Sequence, residues 1–176
     1  MENNIELEIQ REIEYYNSLP VKFDNFIYPS KDIPLNDGVI FIPRFNTNME
    51  VPDMKKIPTY NFTIATYIDK LEIGSINLHI GYSKEIYYTG HIGCYINEQH
   101  RRKGYAIRAT RLLIPLMKAH NMENIILTNN QNNISSMNLC EKLGARFLRT
   151  VPVPEWHSIY KQYGCVFHNI YDWSVQ

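Results

Sequence analysis

The stretch QHRRKGYAIRAT, residues 99–110, puts three cations, Arg101, Arg102 and Lys103, directly before Gly104 and then enters a helical pattern. A strand-like segment, Ile86 to Ile96, delivers the chain to it. Beyond Gly104, residues Ala109, Leu112, Leu113, Leu116 and Met117 repeat at the spacing of a core-facing helical stripe. The first N–H groups of a helix have no intrahelical acceptor, and the helix dipole is positive there, so such an entrance attracts anions. Gly104 removes a side chain where a diphosphate would approach the backbone. From these residues alone, a phosphate cradle and a basic solvated turn are equally good readings. The stretch has neither the GxxxxGK[ST] spacing of a nucleoside-triphosphate loop nor the GxGxxG of a dinucleotide fold.

Outward from this point, strands and helices alternate. Ile5, Ile9, Ile13 and Tyr16 form one stripe of an acidic amphipathic N-terminal helix. Residues 20–58 carry six prolines and predict an irregular covering segment with one short strand, Val39 to Ile42. Period-two alternation over residues 60–68 and again over 75–80 predicts an antiparallel hairpin. Pro115 should kink the helix that follows Gly104, because its missing N–H would have bonded the carbonyl of Arg111. Further strands are expected at residues 124–128, 145–151 and 165–173, with a helix from Asn133 to Leu143 stopped by Gly144. The class is α+β, or mixed α/β: a central sheet covered by helices.

Composition bounds the function. The chain has 176 residues and is 44% hydrophobic, enough for one domain with one substantial core. Eighteen basic residues balance eighteen acidic ones, which argues against nucleic acid or an anionic membrane as a partner. No apolar run reaches the roughly 20 residues of a membrane span. A cytoplasmic protein is expected. Cys94, Cys140 and Cys165 are widely spaced and lack CxxC pairing, so free thiols are expected and no metal site is.

Two motifs carry a resemblance. The run Arg101-Arg102-Lys103-Gly104-Tyr105-Ala106 resembles the R/Q-x-x-G-x-G/A signature of the GNAT superfamily of N-acetyltransferases. About 30 residues later, Asn133 to Ala145, NISSMNLCEKLGA, resembles that superfamily's second helix signature, N-x-x-S-x-x-x-x-E-K-L-G-F/A. The resemblance covers roughly residues 60–172. It implies a mostly antiparallel sheet whose middle strands splay apart, with the core at 59–173 and residues 1–58 as an accessory segment of the same domain.

It also implies acetyl-CoA as co-substrate. Backbone amides from Arg101, Arg102, Lys103, Gly104, Tyr105 and Ala106 would hold the pyrophosphate, and the backbone of Cys94 and Ile96 would pair with the pantetheine arm. Asn133 and Ser136 would reach the cofactor, although both also have helix-capping chemistry of their own. The implied reaction is direct transfer of an acetyl group to an amine of a small molecule, peptide or protein. An alkyl ammonium of pKa ~10.4 must first lose a proton, so a base is required. His91 is the ionisable residue nearest the position where relatives carry one; Glu98 and His79 are weaker candidates. Many relatives have a tyrosine four residues after the serine as proton donor. Here that position is Cys140, either a donor or inert packing, which keeps open a non-catalytic acyl-CoA sensor. Trp156, His157, Tyr160 and Tyr163, with the loop from Tyr82 to Tyr88, would line the acceptor pocket or pack over the sheet. The sequence leaves a homodimer open.

Overall fold

The computed structural model describes residues 2–27, 31–36, 38–44, 48–49, 57–164 and 166–175. Cys165 and parts of the proline-rich segment lie outside them. The chain opens with helix α1 (Glu2–Asn17). Strands β1 (Ile33–Asn36), β2 (Val39–Arg44), β3 (Asn48–Met49), β4 (Ile57–Thr66) and β5 (Glu72–His79) follow. Helix α2 (Lys84–Thr89) leads to β6 (Ile92–Ile96), a 3-10 turn (Glu98–His100), α3 (Tyr105–Leu112) and α4 (Ile114–Ala119). The last third is β7 (Asn124–Asn130), α5 (Ile134–Leu143), β8 (Arg146–Pro152), α6 (Ser158–Tyr163) and β9 (Phe167–Ser174).

The strands form two separate ladders. One runs β1-β2-β4-β5-β6, with β3 also on β4; the other runs β7-β9-β8. All pairings are antiparallel. β6 therefore ends the first sheet with an outer edge that no strand among the described residues completes, and β7 begins the second.

The two sheets meet at His91, immediately before β6. Its N–H donates to the Ile126 carbonyl of β7 at 2.8 Å, and the Ile126 N–H donates back to His91 Nδ1 at 2.9 Å. The other ring nitrogen, Nε2–H, donates to the Gly81 carbonyl at 3.1 Å. The ring is fully buried and packs edge-on against Tyr82, which stacks on Tyr16 of α1.

The predicted strand over residues 86–96 is corrected: its first half is α2. Ser83 caps that helix, its Oγ accepting the Ile86 N–H at 3.1 Å, and Gly90 ends it at φ 81°. The helix buries Ile86, Tyr87 and Tyr88 together. Burying such side chains stabilises by roughly 1.5–3 kcal/mol each, which outweighs the ~1 kcal/mol range of β-propensity that favours a strand here.

The expectation of irregular covering over residues 20–58 is also corrected in part, because β1 and β2 form a hairpin that extends the sheet onto β4. Pro34 sits on the edge strand β1. Pro43 lies past the end of the β1 pairing, so its missing N–H breaks no ladder bond on that side. The helix after Gly104 does break near Pro115: α3 ends at Leu112, and Pro115 stands in the first turn of α4.

Period-two alternation sorts the second sheet between two apolar clusters. Ile125 and Leu127 of β7, with Tyr171 and Trp173 of β9, join Tyr105, Ala109, Leu113 and Met117 in the larger core. Ile126 and Ile170, with Val151, join Ile9, Tyr16, Tyr87 and Tyr88 of α1 and α2 in the smaller. Helix α1 is further held by Arg149, which bonds Glu8 at 2.8 Å and Glu12 at 2.6 Å, while Tyr87 donates to Glu12 at 2.6 Å. No helix among the described residues is long and apolar enough to cross a membrane.

His91 makes the seam measurable. His91→Leu strands the Ile126 N–H and the Gly81 carbonyl and should cost about 2–4 kcal/mol in urea unfolding. Burial lowers the His91 pKa from 6.5 to about 3 and that of His79 to about 4. Both rings are neutral in the folded state. Their stabilisation is therefore complete above pH 6.5 and is lost as pH falls toward those values. His91→Leu should flatten the acid side of the stability profile, leaving the smaller His79 contribution.

Candidate acetyl-CoA site

Register fixes which backbone groups of β6 face the open edge. The His79 N–H bonds the His91 carbonyl and the Asn97 N–H bonds the Ile73 carbonyl, so odd-numbered residues point their backbone groups at β5. The N–H and C=O of Ile92, Cys94 and Ile96 then point away from the sheet. The Ile96 carbonyl agrees with this, because Arg101 Nε donates to it at 2.8 Å from outside the ladder. Cys94 keeps an outward N–H and C=O without a partner among the described residues.

The chain next curls through a loop with two left-handed residues, Arg102 at φ 63° and Gly104 at φ 76°. Such alternation turns successive N–H groups toward one concavity, a local anion nest. Gly104 is the N-cap of α3 and contributes no side-chain bond. Among the described residues no acceptor meets the backbone N–H of any residue from Arg102 to Ile107. The first backbone bond of the helix is from the Arg108 N–H to the Gly104 carbonyl at 3.2 Å. The loop is braced from inside the helix: the Arg108 guanidinium donates to the Lys103 carbonyl at 2.6 Å and lies over the Tyr105 ring. The sequence reading missed Arg108, although its i+4 spacing from Gly104 was available. Arg101, Arg102 and Lys103 are exposed and surround the nest with positive charge. Arg101 also stands over the Tyr95 ring, 6.0 Å from its centroid.

Helix α5 is capped by Asn133, whose Oδ1 accepts the Ser136 N–H at 3.1 Å. The Asn133 carbonyl-side oxygen is thus used as a cap, and its exposed Nδ2 is the group left for a ligand. Ser136 is half-buried in the first turn. Cys140, one turn further, is 3% exposed beneath α5. A directed chain of hydrogen bonds ends on it. Thr150 Oγ1 donates to Asn169 Oδ1 (2.7 Å), Asn169 Nδ2 to Asn129 Oδ1 (3.2 Å), and Asn129 Nδ2 to Cys140 Sγ (3.6 Å). Burial pushes the Cys140 thiol up to about 11 and the Cys94 thiol up to about 12.

Cys94, Ile96 and the segment from Arg101 to Ala106 follow one another along one edge and loop. The Arg101 N–H already bonds the Glu98 carbonyl at 3.2 Å, however, and the Ile96 carbonyl already accepts from Arg101 Nε, so two of the backbone groups expected to meet the cofactor are engaged by the protein. The assignment of His91 as a base is corrected. Both of its ring nitrogens are engaged by backbone, and a buried ring so held has no lone pair to offer a substrate. His79 is also buried, its Nδ1 2.9 Å from Thr59 Oγ1. Among the described residues no group of three or more His, Cys, Asp or Glu could hold a metal ion.

Residues 41–146 match the acetyltransferase (GNAT) domain family. That is more than half of the chain, and the protein belongs to this family. Solved structures agree on the fold. The ribosomal-protein-S5-alanine acetyltransferase from Vibrio fischeri aligns with a TM-score of 0.52 at 19% identity, covering 67% of this chain and 62% of that one. An acetyltransferase from Salmonella typhimurium, which modifies the N-terminal serine of the 50S ribosomal subunit protein L7/L12, aligns at 0.51 and 12% identity, covering 67% and 64%. The microcin C7 self-immunity acetyltransferase, solved with acetyl-CoA and AMP, aligns at 0.50 and 17% identity, covering 66% and 61%. The likeness thus spans less than two thirds of each of these chains. No curated protein matches this sequence.

The thiol environments predict low reactivity. At pH 8, iodoacetamide should leave Cys94 and Cys140 unmodified in the folded protein and alkylate both after denaturation, as read by peptide mass mapping.

Proposed function

We propose that the chain is an acetyl-CoA-dependent N-acetyltransferase that transfers the acetyl group directly to an amine while both substrates are bound. One observation carries this reading: unpartnered N–H groups from Arg102 to Ile107 follow in the chain directly after the unpaired β6 edge at Cys94. A diphosphate has acceptor oxygens for the nest. An amide-containing arm has donors and acceptors for a strand edge. Coenzyme A joins the two in one molecule, and the family membership makes it the expected ligand.

The residues divide the work. The amides of the nest and Arg101, Arg102 and Lys103 hold the phosphates; Tyr105 and Arg108 keep the loop in shape from within. The outward groups of Cys94 align the arm, and Arg101 caps the Ile96 carbonyl, stiffening the end of the edge. Asn133 Nδ2 and Ser136 flank the entrance from α5. Cys140 stays protonated and packed under that helix, held by Asn129. The acceptor is an amine, and N-terminal alanine and serine are sensible first trials, given the substrates named for two structural relatives. Action in the cytoplasm, where acetyl-CoA is made available, belongs to this reading.

A second reading is favoured by one observation. With His91 locked and Cys140 sealed, neither expected proton-transfer position is open, as a non-catalytic acyl-CoA sensor would allow. Turnover of acetyl-CoA with tetrapeptides beginning in alanine or serine, and with a polyamine, separates the two.

Acetyl-CoA at 100 times its dissociation constant should stabilise the protein by about 2.7 kcal/mol, visible as a raised melting temperature. Gly104→Val should weaken binding at least about tenfold, a loss of about 1.4 kcal/mol. A side chain at φ 76° is strained and would crowd the Arg108 guanidinium, 3.3 Å from the new Cβ, and the nest. Unchanged affinity in that variant would remove the loop from the site.

A further inference from the structure

The face of the second sheet that packs on α2 carries a histidine whose environment differs from those of His91, His120 and His157. His91, His120 and His157 have both ring nitrogens engaged by the protein. His168, on β9, donates Nδ1–H to the Tyr88 carbonyl at 3.0 Å, which fixes the tautomer and leaves the lone pair on Nε2. That nitrogen has no partner among the described residues, and it is not among their sealed, unsatisfied polar atoms. Its register neighbours are Asn130 of β7 and Val151 of β8. Asn130 is where β7 gives way to the α5 entrance: its carbonyl accepts the Asn133 N–H at 2.8 Å. The end of α2 crosses the neighbouring strand β7, with Thr128 Oγ1 donating to the Thr89 carbonyl at 2.7 Å. His79 also keeps a ring nitrogen unpartnered, but it sits on β5, a strand paired on both edges, and its backbone meets β7 through His91, whose carbonyl the His79 N–H bonds.

We propose that His168 is the proton acceptor for the incoming amine, which approaches from the α2 and α6 side, opposite the helices α3 and α5. The proposal rests on the acetyltransferase reading above. The ammonium gives one proton to Nε2, and the neutral amine attacks the thioester carbonyl. The C–N bond forms and the C–S bond breaks; the second amine proton leaves with the coenzyme A thiol, and His168 returns its proton to water. Burial lowers the His168 pKa below 6.5, so the ring is a neutral acceptor at physiological pH. The titratable group facing it is His157 at the start of α6, whose own pKa is lowered by burial and which has Glu85 nearby; Tyr88 on α2 meets it through its backbone carbonyl. The paired residues on β7 and β8 do not titrate. Tyr88 and His157 also meet Trp156 edge-on, and Trp156 lies under Lys84, so aromatic rings suited to an ammonium group cluster on this side of His168.

His168→Asn tests this, because its Nδ2–H can keep the bond to the Tyr88 carbonyl while the distal nitrogen is removed. The variant should bind acetyl-CoA like the wild type and lose about 100-fold in kcat with the best peptide or polyamine acceptor. It should also lose the acid limb of the kcat–pH profile, the fall in rate below pH 6.5 as His168 protonates. Wild-type kcat and an intact acid limb in the variant would overturn the proposal. Failure of the wild type to bind acetyl-CoA would instead overturn the reading beneath it. A second measurement needs no acceptor: diethyl pyrocarbonate at pH 7, followed by peptide mapping, should modify His168 and spare His91, His120 and His157. An unmodified His168 would overturn the proposal as well.

Discussion

One imidazole joins the two halves of the molecule. His91 exchanges two hydrogen bonds with the backbone of Ile126 and a third with Gly81, and beyond it β6 and β7 belong to different ladders. A continuous sheet would have used the outward N–H and C=O groups of Cys94 for strand pairing. Because the sheets part after His91, those groups are left for something else. The buried neutral ring is what makes the parting stable. It accepts from the Ile126 N–H of β7 through Nδ1 and donates to the Gly81 carbonyl through Nε2–H, in a place where a charged group would be costly to bury.

The opening acquires direction from what flanks it. On one face, α3 starts with an amide nest and α5 with an asparagine cap, the groups that the proposed cofactor site would use. On the other face, α2 and the segment leading into α6 bring Tyr88, Trp156, His157 and His168 together. A thioester laid along β6 would be reached by its nucleophile from this second face. The division follows from period-two alternation in β7 and β9, which sends Ile125 and Leu127 toward α3 and α5 while Ile126 and Ile170 meet α1 and α2.

The sequence was most legible where chemistry is local. Gly104 and the cations before it, the Asn133 cap and the Gly144 stop each declare themselves within a few residues, and each stands where it was expected. Residues 86–89 misled because Ile, Tyr and Tyr favour strands intrinsically, while their burial against α1 and β7 is a tertiary gain that no local window contains. The proline-rich segment misled differently, since Pro34 and Pro43 sit where a strand edge is free, and pairing partners are not visible in composition. His91 looked like a base from its position alone. Its bonds to Ile126 and Gly81, residues distant in the chain, assign it to the seam. His168 was invisible for the same reason: only the fold sets its ring beside Tyr88 while leaving Nε2 open.

The central claim is that the loop amides and the β6 edge form one continuous ligand site. Backbone amide resonances followed by two-dimensional NMR during titration with coenzyme A test it most directly. The account predicts that the largest downfield shifts fall on Arg102 to Ile107 and on Cys94, saturating together with a single dissociation constant. Shifts concentrated elsewhere, with these amides unmoved at saturation, would contradict it.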